Sequence, residues 1–130
     1  MRTTARETAF KLVFASGFTG GDDGSLERTL AKTEKLSKDD IEYVDRVLSV
    51  LAVHGEELKK LVDERSMSFP ESRLFPADRS ILLIALAEIL YMDDIPKAVS
   101  ANEAANIASK YSSPKSADFI SGILSEIIKE

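Results

Sequence analysis

Apolar residues recur at the spacing of one α-helical turn along most of the chain, which predicts a protein built from helices. The first helix is expected over about 5–16, on the apolar residues Ala5, Ala9, Phe10, Leu12, Val13 and Phe14. Thr4 and Glu7 are spaced as a capping box at its start, and Gly17 suits the left-handed residue that ends many helices. A short second helix is expected next, on the apolar residues Leu26, Leu30, Ala31 and Leu36.

The middle of the chain predicts two helices separated by a glycine. Ser37 and Asp40 are spaced as another cap, and they precede an apolar stripe formed by Ile41, Val44, Val47, Leu48, Leu51 and Ala52. Gly55 is expected to break or bend the helix at this point. A fourth helix is then expected to end near Arg65, on the apolar residues Leu58, Leu61 and Val62, with irregular chain over 66–70.

The longest apolar stretch of the chain predicts a buried helix that opens at Pro76 and continues through Met92. Glu88 interrupts this stretch, and an ionised carboxylate inside a core is costly unless it has a hydrogen-bond partner. We therefore expect Glu88 to be hydrogen-bonded to a neighbouring helix end or side chain.

Two further helices are predicted at the carboxyl end. Ser100 and Glu103 are spaced as a capping box, which predicts a helix to about Lys110. Ser113 followed by Pro114 is typical of a helix start, and it precedes inward-facing positions at Phe119, Ile120, Ile123, Leu124, Ile127 and Ile128. The whole pattern predicts an all-α protein, a compact bundle of six or seven helices without strands.

Composition indicates a single domain over residues 1–130 and gives little support to catalysis. The chain has no cysteine, and His54 is its one histidine, so we expect a structural or surface role for His54 and no metal site, cofactor or catalytic residue. No apolar run is long enough for a membrane span and no secretory signal is recognisable, so the expected location is the cytoplasm.

The formal net charge of -5 argues against binding nucleic acid through overall electrostatic attraction. An RNA site would have to be a local basic patch or be completed by a basic partner. Arg2, Arg6 and Lys11 are the best local signal for nucleic acid, because positions 2 and 6 lie one turn apart and project from the start of the first helix. Three phenylalanines, Phe10, Phe14 and Phe119, are candidates for stacking on RNA bases. Their helical spacing is also compatible with burial in the core, so both interpretations stay open.

Several separated motifs together resemble the NusB family of transcription antitermination proteins. The matching segments, in order, are Asp78-Arg79-x-Ile81-Leu82-x-x-Ala85-x-x-Glu88-x-Leu90, Asp94-Ile95-Pro96, Asn102-Glu103-Ala104, Ala108-x-Lys110-Tyr111 and Phe119-x-x-Gly122-Ile123-Leu124. The resemblance implies an N-terminal helical half packed on a C-terminal one. It also implies a protein that pairs with ribosomal protein S-ten (NusE), binds boxA RNA of nascent ribosomal transcripts and acts in the antitermination complex of RNA polymerase.

The resemblance also implies where the two binding surfaces lie. RNA contact carries over to Arg2, Arg6, Lys115 and Phe119, and partner contact carries over to Phe14 and Asp78. This chain has Arg2-Thr3-Thr4 where relatives often have a run of arginines, so its RNA affinity without the partner is expected to be low.

Two other interpretations remain open from the sequence. The chain could be the type of RNA-binding domain that is fused to ribosomal RNA methyltransferases, although no cofactor-binding segment accompanies it here. It could instead be a homodimeric helical interaction module without strong RNA binding, which would explain the sparse arginines.

Overall fold

Six α-helices account for most of the residues that the computed structural model describes, which are 2–19, 25–66 and 75–130. They are α1 (Arg2–Thr19), α2 (Ser25–Thr33), α3 (Lys38–Ser66), α4 (Pro76–Tyr91), α5 (Lys97–Tyr111) and α6 (Pro114–Lys129). No strand occurs in these described ranges. The predicted all-α class is confirmed, and the expected bundle of six or seven helices has six over the described residues.

α4 is the central element of the bundle and packs against α1, α3, α5 and α6. Eleven of its residues between Asp78 and Ile89 are buried, and they lie on every side of the helix. A helix that is apolar all round is stable only when its neighbours cover it. α4 therefore joins the N-terminal helices α1–α3 to the C-terminal helices α5 and α6, as the resemblance implied.

α1 is longer than the sequence pattern predicted, and both expected end signals are wrong. Thr4 and Glu7 lie inside the helix, where the Glu7 carboxylate accepts from Nζ of Lys110 at 2.8 Å. Gly17 also lies within α1 and does not end it. Burial of apolar residues such as Ala5 and Ala9 stabilises the helix against the core, so local cap signals do not decide its ends.

α3 is one continuous helix of 29 residues, so the expected break at Gly55 is wrong. A glycine inside a helix costs only about 1 kcal/mol relative to alanine. Burial of Val47 before it and Leu58 after it, both fully covered, outweighs that cost.

The Ser37 cap at the start of α3 is confirmed, because its Oγ accepts from the Asp40 backbone N–H at 3.1 Å. Of the predicted irregular stretch, residues 67–70 lie outside the described residues.

The two C-terminal helices begin in different ways. α5 begins at Lys97 after Pro96, so the expected capping box at Ser100 is wrong, and that serine lies one turn inside the helix. α6 begins as predicted, because Oγ of Ser113 accepts from the Ser116 backbone N–H at 3.0 Å. The predicted inward face of α6 is buried at Phe119, Ile120, Ile123, Leu124 and Ile127, and Ile128 is half-buried. None of the described helices is long and apolar enough to cross a membrane.

Candidate nucleic-acid interface

Four helices contribute side chains to a buried polar cluster centred on the Glu88 carboxylate of α4. Arg6 of α1 donates from Nε at 3.0 Å to Oε2 and from Nη2 at 2.9 Å to Oε1. Tyr43 of α3 donates its hydroxyl at 2.6 Å, and Ser100 of α5 donates at 3.0 Å. None of the four residues is more than 4% exposed. The prediction that Glu88 is hydrogen-bonded by a neighbouring side chain is confirmed.

The charges of this cluster stabilise one another. Burial alone would lower the pKa of the Arg6 guanidinium, but the hydrogen bond to Glu88 and the charge of that carboxylate outweigh it and raise the pKa. Burial and the Glu88 charge also raise the pKa of the Tyr43 hydroxyl. Arg6 is therefore charged and bound to an internal carboxylate, so it is shielded from phosphates. The surface cations of α1 therefore do not include Arg6.

Arg2 lies one helical turn before Arg6 and, unlike it, reaches the protein surface. Its side chain is 40% exposed. The guanidinium carbon lies 4.6 Å from the centroid of the Tyr43 ring, and Nε lies 3.9 Å from Oδ1 of Asp40. Both of these contacts come from the start of α3. Arg2 is thus an exposed cation held from one side by α3.

The two predicted lysines differ in how available they are. Lys11 of α1 pairs with the Glu34 carboxylate at 3.0 Å, with both side chains about one third exposed. Its pKa is raised, chiefly by that hydrogen bond. Lys115 is exposed in the first turn of α6, where the helix dipole favours anions. Lys115 is therefore the more accessible of the two.

The predicted aromatic residues lie mostly in the core. Phe119 is 8% exposed and Phe10 is 5% exposed, so their rings face the interior. Phe14 is half-buried, and its ring centroid lies 5.8 Å from that of Phe10. Among these three, Phe14 has the least buried side chain.

A surface groove runs beside Phe14 between α1, α3 and α4. It encloses about 430 Å³ and is lined by Val13, Phe14, Ser16, Lys59, Pro76, Arg79, Ser80 and Leu83. The lining combines apolar side chains with two cations from different helices. Such a mixture is typical of protein-binding surfaces, which have an apolar centre and polar edges.

Asp78, which the resemblance assigned to partner contact, is 1% exposed. Its Oδ1 accepts from the Ser112 hydroxyl and its Oδ2 accepts from the Ser116 hydroxyl, both at 2.9 Å. The carboxylate thereby ties the start of α4 to the junction of α5 and α6. Because both oxygens are bound internally, the Asp78 carboxylate is not presented at the surface, whereas Phe14 is half-buried and lines the groove.

Tyr43 is the residue of this site that the sequence pattern did not single out. Its position four residues before Val47 places it on the buried stripe of α3, which the spacing could have indicated. Its contacts with Arg2 and Glu88 depend on the packing of α1 and α4 against α3. A local sequence pattern does not record that packing.

His54 lies on α3 and stacks on the Tyr91 ring, with centroids 3.9 Å apart. Within residues 2–19, 25–66 and 75–130, no three or more acidic or histidine side chains are grouped closely enough to hold a metal ion.

Comparison with known proteins identifies the family. A model of the NusB family matches residues 3–129. The chain belongs to the NusB family. Two members of the NusB family with similar sequences are the transcription antitermination proteins NusB of Natranaerobius thermophilus and Agathobacter rectalis. The first is 36% identical over 99% of this chain and 95% of its own length, and the second is 34% identical over 96% and 97%.

Solved NusB structures also share the fold. NusB of T. maritima superposes with a TM-score of 0.82 at 30% identity, covering 100% of this chain and 92% of that one. A chain in the crystal structure of the antitermination factors NusB and NusE in complex with double-stranded RNA gives a TM-score of 0.85. That chain is 25% identical, and the match covers 98% of this chain and 96% of that one.

Proposed function

We propose that this protein is a transcription antitermination factor that binds boxA RNA of nascent ribosomal transcripts together with ribosomal protein S-ten (NusE). The observation that carries the proposal is the family match over residues 3–129, strengthened by the likeness to a structure of NusB and NusE with RNA. The protein acts as one helical domain, in the cytoplasm, within the antitermination complex of RNA polymerase. It works by binding and catalyses no reaction.

The RNA surface that we propose comprises Arg2 at the start of α1, Lys115 at the start of α6 and Lys11 further along α1. Exposed cations at helix starts suit phosphate binding, because the positive end of the helix dipole adds to their charge. These few cations belong to a chain of net charge -5, so the protein alone should bind RNA weakly. A basic ribosomal partner would offset the acidic remainder and extend the RNA surface.

The partner surface that we propose is the groove beside Phe14. Its volume of about 430 Å³ accommodates several side chains of a partner, and Phe14 with Leu83 supplies its apolar part. Lys59 and Arg79 also line the groove, and each is paired with a carboxylate of this chain, Glu56 and Asp63. An acidic group of the partner would exchange with these exposed pairs at the edge of the groove. The two proposed surfaces use different residues, which allows RNA binding and partner binding to be changed separately.

The deciding experiment is a fluorescence anisotropy titration of labelled boxA RNA and of a scrambled RNA at one salt concentration. The RNA is titrated with this protein, with S-ten, and with both. We expect sequence-selective binding that is much tighter with both proteins than with either alone. Absence of selective binding in every combination would overturn the proposal. A mass that rises with protein concentration would then favour the homodimeric module.

Two lysines of α6 provide a matched pair of variants for the same titration. Lys115→Gln removes a cation from the proposed RNA surface, whereas Lys129→Gln removes one from the opposite end of the helix. Loss of one phosphate contact should weaken RNA binding. It should also reduce the slope of log affinity against log salt concentration by about one. Lys129→Gln should behave as the unmodified protein.

A further inference from the structure

We propose that Tyr43 is a positioning residue for RNA binding, which holds the Arg2 guanidinium on the surface where phosphates can reach it. This inference rests on the function proposed above. Tyr43 is 1% exposed, and the centroid of its ring lies 4.6 Å from the Arg2 guanidinium carbon. The residue thus links a buried polar cluster to an exposed cation.

The Tyr43 ring is held in place by the buried polar cluster centred on Glu88. Its hydroxyl donates to Oε2 of Glu88 at 2.6 Å, and that carboxylate is held by Arg6 and Ser100. Burial keeps the hydroxyl protonated, since it raises the pKa of Tyr43. The ring orientation is therefore set by contacts from four helices, and so is the ring face that Arg2 contacts.

Stacking leaves the guanidinium of Arg2 able to bind a phosphate. A guanidinium that lies over an aromatic ring uses its flat face, so the N–H groups along its edge remain free to donate to anions. Asp40, one turn before Tyr43 on α3, lies 3.9 Å from Nε of Arg2 and restrains the side chain further. Together, ring and carboxylate reduce the conformational freedom that Arg2 would lose when RNA binds.

This arrangement matters because α1 contains two arginines and one of them is buried. Arg6 is bound to Glu88, which leaves Arg2 as the exposed arginine of the helix. Ordering one long side chain costs roughly 0.5–1.5 kcal/mol, which corresponds to about a 2- to 10-fold change in affinity. We therefore expect Tyr43 to improve RNA affinity by about this factor through Arg2.

A double-mutant cycle on RNA affinity tests the inference, using Tyr43→Leu and Arg2→Gln alone and combined in the presence of S-ten. Tyr43→Leu should weaken boxA binding about 2- to 10-fold when Arg2 is present. The same substitution should have no further effect when residue 2 is already glutamine. A purely structural role would instead weaken binding equally in both backgrounds, and that result would overturn the inference.

Two further variants keep the test decisive if Tyr43→Leu does not fold. Tyr43→Phe retains the ring and loses the hydroxyl, so RNA affinity should fall less than in Tyr43→Leu while the free energy of unfolding falls. Arg2→Lys retains the charge and loses the guanidinium that lies over the ring, so affinity should fall with an unchanged salt dependence. Equal affinity of Arg2→Lys and the unmodified protein would overturn the inference.

The outcome for the proposed function can be distinguished from the outcome for Tyr43. If the unmodified protein with S-ten shows no preference for boxA over scrambled RNA, the proposed function is wrong and the inference fails with it. If that preference is clear and the cycle shows no coupling between Tyr43 and Arg2, the inference alone is wrong.

Discussion

The Arg6 guanidinium and the Glu88 carboxylate, 82 positions apart in the chain, form a two-point hydrogen-bonded ion pair inside the bundle. The pair joins α1 to α4, and neither side chain is more than 5% exposed. Removing one member of such a pair leaves an uncompensated charge in a core, which costs far more than the pair contributes as a unit. The arginine that the resemblance assigned to RNA contact is therefore central to the stability of the fold.

Arg6→Met should lower the free energy of unfolding by about 3–5 kcal/mol, because the Glu88 carboxylate would remain buried without its cation. Urea unfolding monitored by circular dichroism measures the change. Lys11→Met is the matched control on the same helix, since its pair with Glu34 is partly exposed and should contribute less than about 1 kcal/mol. Near-normal stability of Arg6→Met would contradict the structural role.

Asp78→Ala should lower the free energy of unfolding by about 1–3 kcal/mol, because the hydroxyls of Ser112 and Ser116 would lose a charged acceptor. Asp118→Ala, at an exposed position of α6, should change stability little. Binding of S-ten to the folded fraction should be unaffected by Asp78→Ala. Unchanged stability with loss of S-ten binding would instead support the partner contact that the resemblance implied.

Gly55→Ala should raise the free energy of unfolding by about 0.5–1 kcal/mol, because alanine favours the helical backbone more than glycine does. A β-carbon added at Gly55 meets no atom within 4 Å, so no clash opposes this gain. The reciprocal control is Ala52→Gly, at an exposed position of the same helix, which should destabilise by a similar amount. Destabilisation by Gly55→Ala would indicate that α3 bends at this glycine.

The Asp94 carboxylate should titrate at a lower pH than an ordinary aspartate. Its hydrogen bond with Arg46, 2.7 Å between Nη2 and Oδ1, lowers its pKa to about 2. Because the folded pKa is depressed, the stabilising contribution is present above about pH 4 and is lost as the pH falls towards 2. Carbon-detected NMR titration should show the midpoint returning towards the ordinary value in Arg46→Gln.

The control for that titration is Arg65→Gln, which removes a different surface ion pair, the one with Glu130. This variant should leave the Asp94 midpoint unchanged. A midpoint that is the same with and without Arg46 would show that the ion pair is not maintained in solution.

The helical pattern of apolar residues was sufficient to predict the fold class, the buried α4 and the start of α6. These features follow from local chemistry, since a 3.6-residue apolar period and a Ser-Pro start favour helices in any context. The sequence also showed that Glu88 requires a partner, because a buried carboxylate without one is too costly. The motif spacing was sufficient to indicate the family.

Only the tertiary structure decided where the helices end and which charges reach the surface. Thr4, Ser100 and Gly55 each carry a local signal for a helix end, yet packing against the core outweighs all three. Arg2 and Arg6 are both arginines at the start of one helix, and the sequence pattern predicted RNA contact for both. Arg6 is buried because Glu88 lies opposite it, whereas Arg2, one turn earlier, lies at the edge of the bundle. Such a difference depends on contacts between distant segments, which no local pattern contains.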